Sequence, residues 1–178
     1  LDDRLQAMLL LRRDGLDNRA KARQLLEKLV ADPKTAAPGD RLALAQVYEA
    51  EGKPLAARDQ MLALVGRENP HPSHLAAYIA MLLRHKALDD AQPWLQRLEA
   101  AAPDAIEPVA LRARWLRAKA EQEAVGKADE VGKAIRAEAA QKATQLIEQF
   151  GQKTLDRLAS LEIGPAHQKL KAQREAEI

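Results

Sequence analysis

Along the first two-thirds of the chain the apolar residues recur at intervals of three and four, not two. Leu25, Leu26, Leu29 and Val30 form one stripe, Leu42, Leu44, Ala45 and Tyr48 a second, and Met61, Leu62, Leu64 and Val65 a third. That spacing lines one face of an α-helix, whereas a strand would alternate. Gly15, Pro33, Pro38-Gly39, Gly52 with Pro54, Asn69-Pro70-His71-Pro72 and Pro103 interrupt the stripes. The pieces between these breakers are about a dozen residues long, an ordinary helix length. The pattern predicts an all-α chain of antiparallel helical hairpins. Pro54 is expected at the first position of a helix, where its missing N–H is not needed. Pro93 is expected in the first turn of a helix that starts at Asp89 or Asp90, with Asp89 as the N-cap.

The hairpins repeat. Ala57-Arg58-Asp59-Gln60-Met61-Leu62-Ala63-Leu64, followed by Pro70, can be laid on Ala91-Gln92-Pro93-Trp94-Leu95-Gln96-Arg97-Leu98, followed by Pro103, at a shift of 34 residues. Ala22-Arg23-Gln24-Leu25-Leu26-Glu27-Lys28-Leu29, ending at Pro33, fits the same register 35 residues before Ala57, and Ala124 continues it 33 residues after Ala91. A period near 34 built from two helices separates the tetratricopeptide class from other helical repeats.

On these residues the chain resembles a bacterial tetratricopeptide-repeat (TPR) protein. One copy carries Leu44-Ala45, Tyr48, Gly52, Ala57, Met61, Leu64 and Pro70; the next carries Tyr78, Leu82, Ala91, Leu95, Leu98 and Pro103. The resemblance implies a TPR-type superhelix, with three clear hairpins and a degenerate fourth. In it Ala57 and Ala91 let paired helices approach, Gly52 supports the turn, and Pro70 and Pro103 end second helices. The chain departs from the pattern at several points. The family's early Trp is absent, Ile79 and Arg112 stand where a small residue is usual, and Lys86 replaces the turn glycine. Two extra residues are expected in the first turn, around Asn18-Arg19.

The expected organisation is a repeat array over 1–124, a degenerate hairpin or pair of capping helices over 125–164, and a polar tail over 165–178. Val125-Gly126-Lys127-Ala128 and Val131-Gly132-Lys133-Ala134 recur at a spacing of six, which matches no helical face. Ile135, Ala139, Ala143, Leu146, Ile147 and Phe150 predict one helix stopped by Gly151. Leu155, Leu158 and Leu161 predict a second, closed by Gly164-Pro165.

Composition narrows the function. The 178 residues contain 28 Lys and Arg against 26 Asp and Glu, which gives no global electrostatic attraction to nucleic acid. Hydrophobic residues make up 47% but aromatics only 3%, so the apolar content is largely Ala and Leu, which favour helix. The absence of Cys excludes disulfides, thiolate zinc sites and a cysteine nucleophile. It does not fix the compartment, although a cytoplasmic location is favoured. No apolar run approaches the roughly 20 residues of a membrane span, so no insertion is expected. The opening Leu1-Asp2-Asp3-Arg4, with no initiator Met, gives the expectation of a fragment or processed product.

The search for chemistry points away from an enzyme. Gly126 and Gly132 precede lysines but lack the spacing of a phosphate loop, and Ser73 and Ser160 lie in no nucleophile motif. His71-x-x-His74 lacks the further ligands zinc requires, so no metal or cofactor is expected. His71 is read as part of a Pro-rich link and His74 as the first turn of a helix. Asp2-Asp3 and Asp89-Asp90 fall at helix starts, where negative charge suits the dipole. Trp115 occupies a packing position, and Trp94 lies one residue off the core stripe.

In the family the first helix of each hairpin lines a concave, peptide-binding surface. The inward positions carried over are Leu5, Leu9, Arg12 and Arg13; Leu42, Gln46 and Glu49; Ala76, Ala80, Leu83 and Arg84; and Val109, Ala113, Leu116 and Arg117. Leu9, Arg12, Arg13, Gln46, Glu49, Ala80, Leu83, Arg84 and Arg117 are the candidate partner-binding residues. An aliphatic lining edged by arginines suits a peptide with apolar side chains and an acidic group. The expected function is a protein–protein interaction scaffold with a protein or peptide partner. The alternative is a regulatory or substrate-presenting segment of a larger enzyme.

Overall fold

The computed structural model describes residues 2–13, 15–32, 34 and 36–162, with side chains as far as Ser160. The described residues form eight α-helices and no strand. These are α1 (Asp3–Leu11), α2 (Leu16–Ala31), α3 (Pro38–Ala50), α4 (Pro54–Val65), α5 (Pro72–Arg84), α6 (Leu88–Ala101), α7 (Ile106–Ala124) and α8 (Asp129–Glu162). The chain divides into two compact units, Leu1–Tyr78 and Ile79–Ile178, the division falling within α5.

In the first unit α1 packs on α2, α2 on α3 and α3 on α4. Its core buries Leu26, Leu29 and Leu44 of the predicted stripes together with Ala7, Ala43 and Val47, which the stripes did not include, while Met8, Leu11, Leu25, Val30 and Tyr48 are partly buried against them. Asp2 caps α1 by accepting the Arg4 N–H at 3.3 Å. Pro38, Pro54 and Pro72 each open a helix, where a preset φ helps and no N–H is missed. Asn18 and Arg19 are helical, not a turn. The added length lies largely within α2, which starts at Leu16, six residues before Ala22, whereas α4 and α6 start three residues before Ala57 and Ala91.

Two polar clusters tie these helices together. Asp40, only 1% exposed, takes Arg4 side-on through two 2.8 Å bonds and also accepts the Ala37 N–H at 2.9 Å. The Arg4 hydrogen bonds hold its carboxyl below the ordinary Asp value. In the second cluster Arg23 reaches Glu27 at 2.9 Å and Glu51 at 3.1 Å, while Lys53 meets Glu51 at 2.7 Å. The Tyr48 hydroxyl donates to Glu27 at 2.9 Å; burial and that carboxylate push the phenol up to about 12. Arg41 donates to Gln60 and to the Val30 carbonyl, linking α3 to α4 and to the last turn of α2.

The turns after α3 and α5 are built alike. Lys53 N–H donates to the Tyr48 carbonyl at 2.8 Å and Gly52 N–H to Glu49 at 3.0 Å; Ala87 N–H donates to Leu82 at 2.9 Å and Lys86 N–H to Leu83 at 3.2 Å. Each pair is a Schellman closure, which needs a left-handed residue just past the helix. Gly52 supplies it at φ +71° and Lys86 at φ +57°; Gly126 serves the α7–α8 turn at φ +74°.

In the second unit α6 packs on α7 and α7 on α8. Leu88, Ala91, Leu95 and Leu98 are the buried stripe of α6. This helix begins at Leu88 with Ala87 as N-cap, so the expected Asp89 cap is corrected. Leu88 is drawn into the core, and Asp89 instead pairs with Lys119 at 3.0 Å. Pro93 accordingly falls past the first turn, inside the helix, and offers no N–H to the Asp89 carbonyl. Arg112, at a position that usually holds a small residue, lies flat against Glu99 through two 2.8 Å bonds and 5.3 Å from the Trp115 ring centroid. The long side chain is thereby accommodated along the helix surface. Trp115 and Trp94 are both half-buried.

The C-terminal reading is corrected most. One 34-residue helix, α8, replaces the two expected helices. Gly151 is helical and takes no positive φ, so it does not make the left-handed turn by which a glycine commonly closes a helix. α8 packs along α7, so its residues form no hairpin of their own. Ala124 ends α7 rather than continuing the second-helix register, because no breaker interrupts α7 before Val125-Gly126. The buried Gly132, fourth residue of α8, takes the place that Ala57 and Ala91 hold as fourth residues of α4 and α6. A Cβ there would lie 3.7 Å from that of Ala124. Ala139 and Ala143 continue the buried stripe, while Ile147 is exposed. Beyond Gly151 the stripe ends, and Lys153 and Arg157 hold Asp104 at 3.1 and 2.7 Å. Pro33 as a helix stop, the Leu161 side chain, the closure at Gly164-Pro165 and the tail over 165–178 lie outside the described residues.

Candidate functional site

Within the second unit, the end of α5, the turn after it and the last turns of α7 border a cleft of about 600 Å³, a volume in the range of small-ligand and side-chain pockets. Leu83 and Leu88, at 9% and 3% exposure, supply its apolar floor, with Ala118 beside them and Val125 exposed at the rim. Ala118, Glu121, Gln122 and Val125 recur at three and four, so one face of α7 carries into the cleft. The opposite wall brings Arg84 and Lys86, both exposed.

The cleft is braced. The Trp115 indole N–H donates to the Leu88 carbonyl at 2.8 Å, and Lys119 binds Asp89, so the start of α6 is fixed on α7. The lining's carboxylate, Glu121, has both oxygens 3.0 Å from Arg136 Nε on α8. With Glu121 paired in this way, Lys86 places a cation on the wall. Such a lining can seat an apolar group beside an anion. It presents no hydroxyl, thiol or imidazole with which to attack one.

Of the residues expected to meet a partner, Leu83 and Arg84 share this cleft. Arg117 lines a separate hollow of about 200 Å³ with Ala120, Glu121, Arg136 and Ala140. Ala80 is half-buried on α5. In the first unit Leu9 is 43% exposed on α1, Arg12 and Arg13 are exposed at its end, and Gln46 and Glu49 lie on α3, exposed and half-buried. Lys86, Leu88, Ala118, Glu121, Gln122 and Val125 were not foreseen as lining residues. The sequence signal for one of them was the lysine standing in place of the turn glycine.

The histidine pair has a local role. His71 Nδ1 lies 2.7 Å from the Ser73 hydroxyl and accepts the Ser73 N–H at 3.3 Å, while its carbonyl takes the His74 N–H at 2.9 Å. It thus caps α5. Burial, with positive charge from His71 and Arg67, lowers the pKa of His74. Among the described residues no group of three or more His, Asp or Glu could hold a metal ion, and no helix is long and apolar enough to cross a membrane. The chain matches no protein-family model, and no curated protein or solved structure matches it significantly.

Proposed function

We propose that the chain is a TPR-type scaffold that binds a peptide or protein partner along the first helices of its hairpins, and that it is not itself an enzyme. The observation that carries this reading is the repeated unit. Gly52 and Lys86 occupy the same turn 34 residues apart, and each is followed five residues later by an alanine, Ala57 or Ala91, that is fully buried in the second helix. A unit that recurs with its seam and its turn is suited to stacking, and stacked units present extended binding surfaces. The braced cleft at Leu83, Arg84 and Lys86 adds a recess on such a surface large enough for several side chains of a peptide.

The test is selection of random twelve-residue peptides on the whole chain, followed by hydrogen exchange with the selected peptides bound. Protection on α1, α3, α5 or α7 is the expected result. Failure of any peptide to survive competition, or protection confined to the exposed end of α8, would overturn the scaffold reading.

A further inference from the structure

Lys86 is, among the described residues, the one non-glycine residue with positive φ. An L-residue held in this conformation is strained, because its Cβ crowds the following carbonyl. The turn does not require lysine. Gly52 makes the same two closing hydrogen bonds in the equivalent turn without that strain. Strain retained where a strain-free residue would serve points to a use for the side chain, and here the side chain lies on the wall of a cleft.

From this juxtaposition we infer that Lys86 is the specificity-determining cation of the cleft, and that the occupant is an acidic, apolar-flanked segment of a partner protein. This rests on the scaffold reading above. Leu83, Leu88 and Ala118 offer the apolar floor. Glu121 is paired with Arg136, which lessens its repulsion of an incoming carboxylate. The ammonium on the rim then selects the acid, while the floor takes an aliphatic or aromatic neighbour of that acid. A nucleic acid fits poorly, since the floor is apolar and the chain's formal charge is only +2.

The test uses the random twelve-residue peptides selected on the whole chain. Enrichment of Asp or Glu next to Leu, Ile, Val or Phe is expected, with affinity falling as salt rises. Lys86→Gly should weaken the selected peptides roughly tenfold, and Lys86→Glu further, whereas Lys86→Arg should keep most of the binding. Because Lys86→Gly relieves the turn, its melting temperature should not fall, so lost binding cannot be lost folding. Peptides without acidic preference, or with equal affinity for wild type and Lys86→Gly, overturn the inference and leave the scaffold standing. Failure to select any peptide removes both.

Discussion

Lys86 repeats the left-handed backbone of Gly52: φ is +57° in one and +71° in the other, and both close their helices with the same pair of hydrogen bonds. The two sites therefore differ in side chain while sharing a conformation that favours glycine. A Cβ at Gly52 would meet nothing within 4 Å, so any penalty for adding one is conformational rather than steric. Gly52→Ala should destabilise the chain by about 1 kcal/mol, and Lys86→Gly should stabilise it by up to about the same amount. Urea unfolding of the two variants reads the contrast. Destabilisation by both would show that the lysine side chain holds the turn together.

Gly151 gives a second test of backbone conformation, with the opposite sign. It lies inside α8 without positive φ, and a Cβ there would meet nothing within 4 Å. Glycine weakens a helix interior by about 1 kcal/mol relative to alanine. Gly151→Ala should therefore raise stability by about 0.5–1 kcal/mol and increase helical circular dichroism. A loss of stability would mean that the glycine ends the helix after all.

These glycines mark what could be read in advance. Leu26, Leu29, Leu44, Met61 and Leu64 were legible because core burial imposes a spacing of three and four along each helix. Pro54 was legible because proline tolerates few helical positions. Gly151 was not, since glycine is compatible both with a helix stop and with a helix interior. Nor was the Ala124 register legible, since no breaker between Pro108 and Gly126 marks a first helix ending before Ala124. The cleft depends on Lys86 meeting Gln122 and Val125 across more than thirty residues of chain, and the core on Asp40 meeting Arg4 across thirty-six. No local spacing encodes such pairs.

The small seam residues should resist enlargement. Ala57 is fully buried in α4, fourth from its start, as Ala91 is in α6. An arginine side chain there would have to displace packed helix and bury a charge without a partner. Ala57→Arg should cost several kcal/mol, on the order of 3 or more, and lower the melting temperature sharply. Ala57→Gly, which removes one methyl and weakens the helix, should cost about 1–2 kcal/mol. If Ala57→Arg unfolded no more readily than Ala57→Gly, the close approach at this seam would be refuted.

Asp40 should make the first unit sensitive to acid. Its carboxylate is favoured in the folded chain, first by the Arg4 hydrogen bonds and then by the Ala37 N–H, so its folded pKa lies below the ordinary value of 3.8. A depressed folded pKa means that the unfolded chain takes up the proton first. The stabilisation is therefore complete above about pH 5 and drains away as pH falls through 3.8 toward the folded value. Asp40→Ala should cost about 2 kcal/mol at neutral pH, since it strands the Ala37 N–H as well as breaking a charged pair. Because the variant has no carboxyl to protonate at position 40, its stability should fall less steeply than that of the wild type between pH 5 and pH 3. Parallel urea titrations across that range measure the gap, which should close with acid. A constant gap would mean that Asp40 contributes through packing and not through its charge.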